Sequence, residues 1–375
     1  MLAHRECNRC IMNASVDPDI QIDDEGICNH CRRYDTLLPI RVLKGDEGAA
    51  AIARIVESMK ARGRGRDYDC VIGVSGGVDS TYVAYLTKQL GLRPLAVHLD
   101  NGWNSELAVK NIERTMRTLD IDLYTEVLDW EEFRDLQLSV LKSSTTDMEV
   151  PTDHAILSVL WTQAIKNDIK YIISGMNFST ESTFVQSWVY GYWDWYYIKR
   201  IQAKFGRKNL NTFPHFSYFY LAYVHVIRAI RSVSILNYVD YNKSDVMKVL
   251  ENDLGWRYYG GKHYESIYTR FIQGYILPEK FGVDKRYGHL SDLIRAGQMT
   301  RDEALVEVAK PPYDPELFKK DYDFVLKKFD LTDAEFQQIM ARPVKTFRDY
   351  SNSHWMEVFL RKAITTARQI GFYPR

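Results

Sequence analysis

Residues 68–86 read YDCVIGVSGGVDSTYVAYL, and this stretch decides the fold. The apolar run from Tyr68 to Val74 is typical of a buried strand, and the run from Thr81 to Leu86 is typical of a helix. The glycines between them predict a sharp turn that lets the backbone approach a ligand closely. Free N–H groups at the start of the helix then favour an anion, so we predict a phosphate-binding loop.

The loop has no lysine, which separates it from a Walker A motif. The nearest match to that motif, Gly260-Gly261-Lys262-His263, lacks the first glycine and the hydroxyl. Hydroxyl groups in the loop can donate to phosphate, whereas Asp79 is better suited to Mg²⁺ or a backbone N–H. The alternative is an ordinary Gly-Gly turn followed by a helix cap. The predicted loop residues are Val74, Ser75, Gly76, Gly77, Val78, Asp79 and Ser80.

Four of the five cysteines form a second motif, Cys7-x-x-Cys10 and Cys28-x-x-Cys31, separated by residues 11–27. This spacing is typical of a four-cysteine zinc site, and four ligands leave no open position, so the predicted Zn²⁺ is structural. Two disulfides are the alternative, but they are rare in a reducing compartment. His30 is a neighbour that could replace one thiolate. Cys70 is interpreted as a small buried hydrophobe.

The composition limits the classes of function. The 49 basic and 49 acidic residues balance, so no global field attracts nucleic acid or a membrane. No signal peptide is recognisable at the N-terminus, and His225, Arg228 and Arg231 interrupt the aromatic run at residues 216–236, which argues against a membrane span. We expect a soluble, cytoplasmic protein without nucleic-acid partners, and a homo-oligomer remains compatible with the sequence.

Strands and helices alternate after the loop. Strands are predicted at residues 93–99, 122–127 and 170–175, and helices at 106–119, 130–142 and 153–167. This order predicts an α/β fold with a doubly wound parallel sheet. In such sheets the ligand lies at the carboxyl ends of the strands. The phosphate loop, residues 98–102 and residues 174–177 all follow predicted strands, so we expect them to line one crevice.

Later segments supply candidate substrate residues. Asp153 and His154 are predicted to begin a helix that faces the crevice, as Ncap and N1. Residues 181–241 are rich in aromatic side chains with interleaved bases, which could stack a ligand, form a core or bind a partner. Residues 262–286 carry many phosphate-capable groups, although a solvated charge cluster is the alternative. The substrate candidates are Asp153, His154, Glu181, His263, Tyr264, Arg270, Lys285 and Arg286.

Four parts are predicted along the chain. Residues 1–45 form the zinc knuckle and a linker, and residues 46–180 form the α/β domain. Residues 181–310 form an aromatic-rich insertion with a substrate-binding part. Residues 311–375 follow a proline-rich break and form a helical end, in which Thr332 and Glu335 predict a capping box.

The loop motif resembles the PP-loop of the ATP pyrophosphatases, which have the adenine nucleotide alpha hydrolase-like fold. The resemblance implies cleavage of ATP between the α and β phosphates, transfer of AMP to a carbonyl oxygen and release of pyrophosphate. It also implies an adenosine site near His98, Asp100 and Asn101. Ser174, Gly175 and Asn177 would lie near the α-phosphate or the acceptor.

A more specific resemblance covers nearly the whole chain. The cysteine pairs, SGGVDS, residues 98–103 (HLDNGW), residues 262–266 (KHYES) and residues 285–292 (KRYGHLSD) are similar to the N-acetyl sugar amidotransferases of bacterial surface polysaccharide synthesis. That family implies conversion of an acetamido group into an acetamidino group with ATP and Mg²⁺. The implied acceptor is a nucleotide sugar such as a UDP-linked diacetamido uronic acid for lipopolysaccharide O-antigen. Ser75, Asp79, Ser80, Lys285 and Arg286 are the predicted catalytic residues, and no general base stands out.

The source of ammonia is expected to be another protein. The sequence begins Met1-Leu2-Ala3 rather than with cysteine, and no cysteine follows a glycine-rich elbow. The family resemblance suggests separate glutaminase and cyclase-like subunits. A PP-loop tRNA-thiolating enzyme is the alternative, but it would require a basic face and a reactive cysteine. A zinc-knuckle scaffold is a third hypothesis, which leaves the three crevice loops unexplained.

Overall fold

A parallel sheet forms the centre of the structure, a computed structural model that describes residues 6–359. Its strand order is β3-β2-β1-β4-β5, and every neighbouring pair is parallel. The predicted α/β fold class is therefore confirmed. The strands are β1 (Cys70–Gly73), β2 (Pro94–Asp100), β3 (Asp122–Val127), β4 (Tyr171–Ser174) and β5 (Arg231–Ser234).

Helices surround the sheet and form most of the second half of the chain. They are α1 (Asn29–Arg41), α2 (Gly45–Arg62), α3 (Val78–Gln89), α4 (Glu106–Leu119), α5 (Trp130–Ser143), α6 (Val150–Lys166), α7 (Trp195–Phe205), α8 (Tyr218–Ala222), α9 (Lys243–Leu254), α10 (Ile267–Phe271), α11 (Leu277–Phe281), α12 (Arg286–Arg295), α13 (Arg301–Val308), α14 (Pro315–Phe329) and α15 (Asp333–Met340). A π-helical turn, Tyr223–Ile227, continues α8, and another, Ile272–Ile276, joins α10 to α11. Short 3₁₀ turns lie at Ile235–Tyr238 and at Phe347–Asp349, and residues 354–359 are α-helical.

Both faces of the sheet are covered, as the doubly wound class requires. Alternate residues of a strand point to opposite faces. Accordingly, Cys70 and Ile72 pack with α2, α3, α4 and α9, whereas Val71 packs with α6 on the other side. This burial on two faces explains why β1 is apolar throughout. β5 is short and partly polar, so no apolar run marks it in the sequence.

The strand order places a switch point beside the phosphate loop. The chain runs outward from β1 through β2 to β3, and then returns to place β4 on the other side of β1. Crevices at such reversals are the usual ligand sites of open α/β sheets. The loops after β1 and β4 therefore meet where a ligand is expected.

The aromatic segment contributes mainly to a core. Trp188, Tyr190, Tyr197 and Phe213 are buried in the same cluster as α5, α10 and α14 side chains. Phe219 is instead largely exposed. Most of the segment therefore packs the helical part of the molecule.

Two helix starts can be compared with the sequence. The predicted capping box at Thr332 and Glu335 is confirmed at the start of α15. The predicted start of α6 at Asp153 is wrong, because the helix begins at Val150 with Glu149 as its N-cap. Pro151 explains the earlier start, since proline is well accommodated in the first turn of a helix.

No helix among residues 6–359 is long and apolar enough to cross a membrane.

Candidate active site and zinc knuckle

The phosphate loop is held in an open conformation by its glycines. Gly77 is the N-cap of α3 and supplies no side chain to cap the first-turn N–H groups. Gly76 has φ of +79°, and a Cβ there would lie 2.6 Å from the carbonyl oxygen of Ala108. The loop therefore packs backbone against backbone on α4. Only glycine satisfies both the positive φ and this close approach.

Hydroxyl groups brace the loop internally. The Oγ atoms of Ser75 and Ser80 lie 3.2 Å apart. The backbone N–H of Ser75 donates to Ser80 Oγ at 3.3 Å, and the Gly77 N–H points to Ser75 Oγ at the same distance. Ser80 Oγ also donates to the Gly77 carbonyl oxygen at 3.2 Å. All these bonds are long, so either hydroxyl can turn to donate to an anion instead.

Aromatic residues from after α9 support the loop from outside. The Trp256 indole N–H donates to the carbonyl oxygen of Gly76 at 3.0 Å. The Val78 N–H donates to the Tyr259 hydroxyl at 3.3 Å. The sequence analysis missed both residues, because they lie about 180 positions from the loop in the chain. The Trp and Tyr cluster at residues 256–259 was their only signal.

Asp79 lies at the entrance to a charged cavity. Its carboxylate accepts a hydrogen bond from the Tyr241 hydroxyl. Burial raises the pKa of Asp79, and the nearby Glu181 carboxylate adds to the increase. Lys262 Nζ lies 3.1 Å from Glu181 Oε1. The carboxylates of Glu181 and Asp79 outweigh burial and raise the pKa of Lys262, so this lysine stays charged.

The cavity has a volume of about 380 Å³ and is bordered by both halves of the chain. Asp79 and Glu181 come from the loops after β1 and β4, while Lys262 and Tyr264 come from the segment before α10. Its basic lining residues are Lys243, Lys262, Arg270, Lys285, Arg286 and His289. Lys243 and His289 were missed by sequence reasoning. Burial lowers the pKa of both, and repulsion from Lys262 adds to the effect at His289.

Two of the basic residues have their donors engaged. Arg270 forms an ion pair with Asp321 through Nε and Nη2. The Arg286 guanidinium binds Asp284 at 2.7 Å and several carbonyl oxygens around the end of α13. Both residues therefore shape the cavity wall. Lys285, by contrast, forms no ion pair or hydrogen bond through its ammonium group within residues 6–359, which leaves it available to an anion.

The predicted adenosine residues lie beside the phosphate loop. His98 Nδ1–H donates to the carbonyl oxygen of Val74 at 2.8 Å, and Nε2 accepts from Asn104 at 3.1 Å. Asp100 and Asn101 accept backbone N–H groups in the turn after β2. None of the three lines the charged cavity. They lie on the β2 side of the loop, and the cavity lies on the β4 side.

The loop after β4 also reaches the phosphate loop. A Cβ on Gly175 would lie 3.4 Å from Asp79 C and Ser80 N. Ser174 Oγ accepts the Met176 N–H at 3.1 Å. Asn177 is buried, and its Oδ1 accepts from the Thr180 N–H and hydroxyl while its Nδ2 has no partner. The loops after β2 and β4 therefore each contact the phosphate loop, and the structure shows no single crevice lined by all three.

His154 lies in aromatic packing rather than in the cavity. Its ring is fully buried and stacks on Phe216 at 3.9 Å between centroids. Nδ1–H donates to the Tyr192 carbonyl at 2.6 Å, and Nε2 accepts the Phe216 N–H at 3.2 Å. Burial lowers the pKa to about 4. Both ring nitrogens form hydrogen bonds, so we interpret His154 as a structural histidine.

His263 lies beside His289 of the charged cavity. Its Nδ1 is 3.7 Å from Glu265 Oε1, and its ring centroid is 5.7 Å from that of His289.

Asp153 belongs to an acidic group near Lys285. Although the residue contacts solvent, its carboxyl lies deep among protein atoms, and this desolvation raises its pKa to about 8. Repulsion from Glu149 and Asp147 adds to the increase, and Lys285 opposes it. Asp153 therefore retains its proton in the folded protein at pH values at which the unfolded chain has lost it.

We expect Asp153→Asn to stabilise the protein increasingly as pH rises from 4 to 8. Below pH 4 both states of the wild type are protonated, and the substitution changes little. Above it, the wild type loses stability until the folded carboxyl ionises, whereas asparagine does not. Because Asp153 contacts solvent, the shift is discounted, and we expect the gain to level off before pH 8 at about 1 to 2 kcal/mol. Urea unfolding at pH 4, 6 and 8 measures it, and a pH-independent difference would contradict it.

The cysteine pairs converge at one buried point. Among residues 6–359 they form the one group of three or more potential metal ligands, with all four Sγ atoms within 4.8 Å of one another. Cys7 and Cys31 Sγ are 3.9 Å apart, and Cys10 and Cys28 Sγ are 3.7 Å apart. Four sulfurs at about 2.3 Å from a tetrahedral Zn²⁺ would be about 3.8 Å apart, so these residues fit the ion.

His30 does not join this group. Its Nε2 lies 2.7 Å from Asp17 Oδ2, and both side chains are buried. The guanidinium of Arg295 approaches the cluster instead, with Nη1 3.8 Å from Cys31 Sγ. A cation beside thiolates stabilises their negative charge. The structure thus favours a four-cysteine ligand set over three cysteines and one histidine.

Comparison with known proteins finds one matching family model and several relatives. Residues 265–363 match the family model described as "LPS biosynthesis protein WbpG-like, C-terminal domain". The uncharacterized protein MJ1599 of Methanocaldococcus jannaschii is 21% identical over 323 residues, which cover 84% of this chain and 97% of that protein. The glutamine-hydrolyzing GMP synthase of Pyrobaculum aerophilum is 40% identical over 73 residues, or 19% of this chain and 14% of that protein.

Among solved structures, NMN synthetase from Francisella tularensis aligns with 77% of this chain and 98% of its own, at 16% identity and a TM-score of 0.39. The WbpG-like match contains residues 285–292, one of the motifs on which the predicted resemblance rests. Residues 265–363 of this chain are thus similar to the C-terminal domain of WbpG-like LPS biosynthesis proteins.

Proposed function

We propose that this protein is an ATP-dependent, AMP-forming amidotransferase. It adenylates the acetamido carbonyl of a nucleotide-activated sugar and replaces the oxygen with ammonia to form an acetamidino group. One observation carries the proposal: Asp79 of the phosphate loop and the basic residues of the WbpG-like part line the same cavity. A phosphate site and an acceptor site that share a wall are what transfer of AMP to an acceptor requires.

The chemistry explains the need for ATP. An amide oxygen is a poor leaving group, so ammonia does not displace it directly. Attack of that oxygen on the α-phosphorus of ATP breaks the bond to the β-phosphate and releases pyrophosphate. Ammonia then adds to the activated carbon, a proton is lost, and AMP leaves with the former carbonyl oxygen. The carbon–nitrogen double bond of the amidine remains.

The chain's residues act by placement and charge stabilisation. The first-turn N–H groups of α3, with the Ser75 and Ser80 hydroxyls, hold the departing pyrophosphate. Asp79 and Glu181, two carboxylates that line the cavity, would hold Mg²⁺, which would offset phosphate charge. His98, Asp100 and Asn101 would form the adenosine side, and Ser174, Gly175 and Asn177 the α-phosphate side.

The charged cavity supports an anionic acceptor. Lys262 and Lys285 can neutralise a diphosphate or a carboxylate, and Tyr264 supplies an aromatic wall. These features suit a UDP-linked diacetamido uronic acid, which carries both kinds of anion. The match to a model of WbpG-like LPS biosynthesis proteins supports a product used in lipopolysaccharide synthesis, and we propose O-antigen as its destination.

Ammonia would come from a partner glutaminase with a cyclase-like subunit. The described cysteines support this view, because four form the buried cysteine cluster and Cys70 is buried in β1. The matched GMP synthase is named for hydrolysis of glutamine. We expect the purified chain to use ammonium chloride and not glutamine.

Incubation with ATP, Mg²⁺, ammonium chloride and a panel of UDP-acetamido sugars tests the proposal. The expected products are AMP, pyrophosphate and a sugar nucleotide one mass unit lighter than its precursor. Formation of AMP only with tRNA and a sulfur donor would instead identify a thiolating enzyme. The burial of Cys70, whose thiol pKa is raised by desolvation, argues against that alternative.

Lys262→Met should weaken acceptor binding strongly. The change removes a cation from the cavity and leaves Glu181 without its partner, so we expect the KM for the sugar nucleotide to rise about 30-fold or more. Steady-state assays at saturating ATP measure it. Lys248→Met is the matched control, because Lys248 is exposed, pairs with Asp245 and lies outside the cavity. Equal KM values for both variants would remove Lys262 from acceptor binding.

A further inference from the structure

Tyr259 occupies an unusual position at the phosphate loop. Its hydroxyl accepts the Val78 N–H at 3.3 Å, and it lies 3.4 Å from the point where a Cβ on Gly77 would be. Val78 is the first residue of α3, so this N–H is one of the groups that would otherwise face an anion. The hydroxyl therefore stands between the helix N-terminus and the loop's ligand position.

The proton of this hydroxyl has no protein acceptor among the described residues. Within residues 6–359, the Tyr259 oxygen accepts one hydrogen bond and donates none. The residue is partly buried, and a tyrosine hydroxyl can donate one hydrogen bond while it accepts another. Because the oxygen already accepts the Val78 N–H, its own proton can be donated to a further group beside the helix N-terminus.

The surroundings keep the proton in place. Burial raises the pKa of Tyr259, and the neighbouring Glu265 carboxylate raises it further. Glu265 Oε1 lies 3.3 Å from the same Cβ point on Gly77. Its position is fixed by the backbone, since the Ser105 N–H donates to the Glu265 carbonyl at 2.8 Å. Tyr259 thus remains a neutral donor beside a fixed negative charge.

We propose that the Tyr259 hydroxyl is a direct ligand of the pyrophosphate group, donating its proton to a phosphate oxygen in the loop. This inference rests on the proposed function and adds a residue to its nucleotide site. Tyr259 precedes Lys262 and Tyr264 in the segment that lines the acceptor cavity. One segment would therefore contact both the departing pyrophosphate and the acceptor.

Calorimetric titration with inorganic pyrophosphate and Mg²⁺ tests the inference without turnover. Tyr259→Phe removes the hydroxyl and keeps the ring. Loss of a hydrogen bond to a charged group should weaken binding about tenfold or more. Tyr82→Phe is the control, because this tyrosine lies on α3 near the loop and its hydroxyl forms no hydrogen bond within residues 6–359. Thermal unfolding should show both variants to be folded.

The outcomes separate this inference from the proposed function. Weakened binding in Tyr259→Phe alone supports the inference. Unchanged or tighter binding in Tyr259→Phe, with binding by the wild type intact, overturns it and leaves ATP cleavage at the loop standing. Failure of the wild type to bind pyrophosphate overturns the proposed use of ATP and, with it, the role of Tyr259.

Discussion

Gly76→Ala is expected to abolish AMP formation in a protein that still folds. The new methyl group would lie 2.6 Å from the Ala108 carbonyl oxygen and 3.1 Å from two further backbone atoms of that residue. Both sides of this contact are backbone, so no flexible side chain can yield. The loop must move instead, and displacement of catalytic groups by about 1 Å can cost about 100-fold in rate.

The expected loss is therefore at least about 100-fold in kcat/KM for ATP, measured as AMP and pyrophosphate release. Gly65→Ala is the matched control. Gly65 has φ of +74°, close to that of Gly76, but a Cβ there would contact nothing within 4 Å. This control separates the cost of placing alanine in a left-handed backbone conformation from the cost of the steric clash. Comparable activity in Gly76→Ala and the wild type would mean that the loop does not hold the reacting phosphates.

The local sequence predicted the centre of the fold well. The predicted helix at residues 106–119 and the strand at 122–127 coincide with α4 and β3. Both carry strong local signals, such as the Ser105 cap that accepts the Ala108 N–H. The phosphate loop was equally evident, because strand, glycines and helix lie within 19 consecutive residues at positions 68–86. These features depend on neighbours in the chain.

The rest of the candidate site depends on contacts between distant positions. Tyr241, Trp256 and Tyr259 reach the phosphate loop from the other half of the chain, and no periodicity marks such a contact. His154 has the composition of a site residue, and only its packing against Phe216 shows that both nitrogens are already bonded. Sequence gives the chemistry of a side chain, whereas long-range packing decides which groups remain available to a ligand.

The cysteine knuckle packs against one wall of the charged cavity. The Ile11 N–H donates to Ser291 Oγ at 3.3 Å, and the Ile11 side chain packs with Leu290 and Ala304 of α12 and α13. The Trp188 indole donates to the Val16 carbonyl at 2.9 Å. Helix α12 also carries His289, which lines the cavity. The knuckle is thus part of the packing that holds one cavity wall.

If the cluster holds the predicted zinc, Cys10→Ser should release it and destabilise the whole protein. A structural zinc contributes about 10 to 16 kcal/mol of apparent binding energy in small zinc domains, which is comparable with the entire stability of a typical domain. Serine is a poor ligand for this ion, and its hydroxyl would leave three buried thiolates beside Arg295 without a complete shell. We expect a loss of more than about 4 kcal/mol in unfolding free energy.

Metal analysis and thermal unfolding measure this together, with one zinc ion per chain expected in the wild type and less in the variant. Cys70→Ala is the control, because Cys70 is buried in β1 away from the cluster, and its loss should cost only about 1 kcal/mol. Because the knuckle packs on α12, a chelator should also weaken acceptor binding before it affects binding of pyrophosphate to the loop. Full stability and acceptor affinity in a zinc-free Cys10→Ser protein would show that the cysteine cluster holds no structural ion.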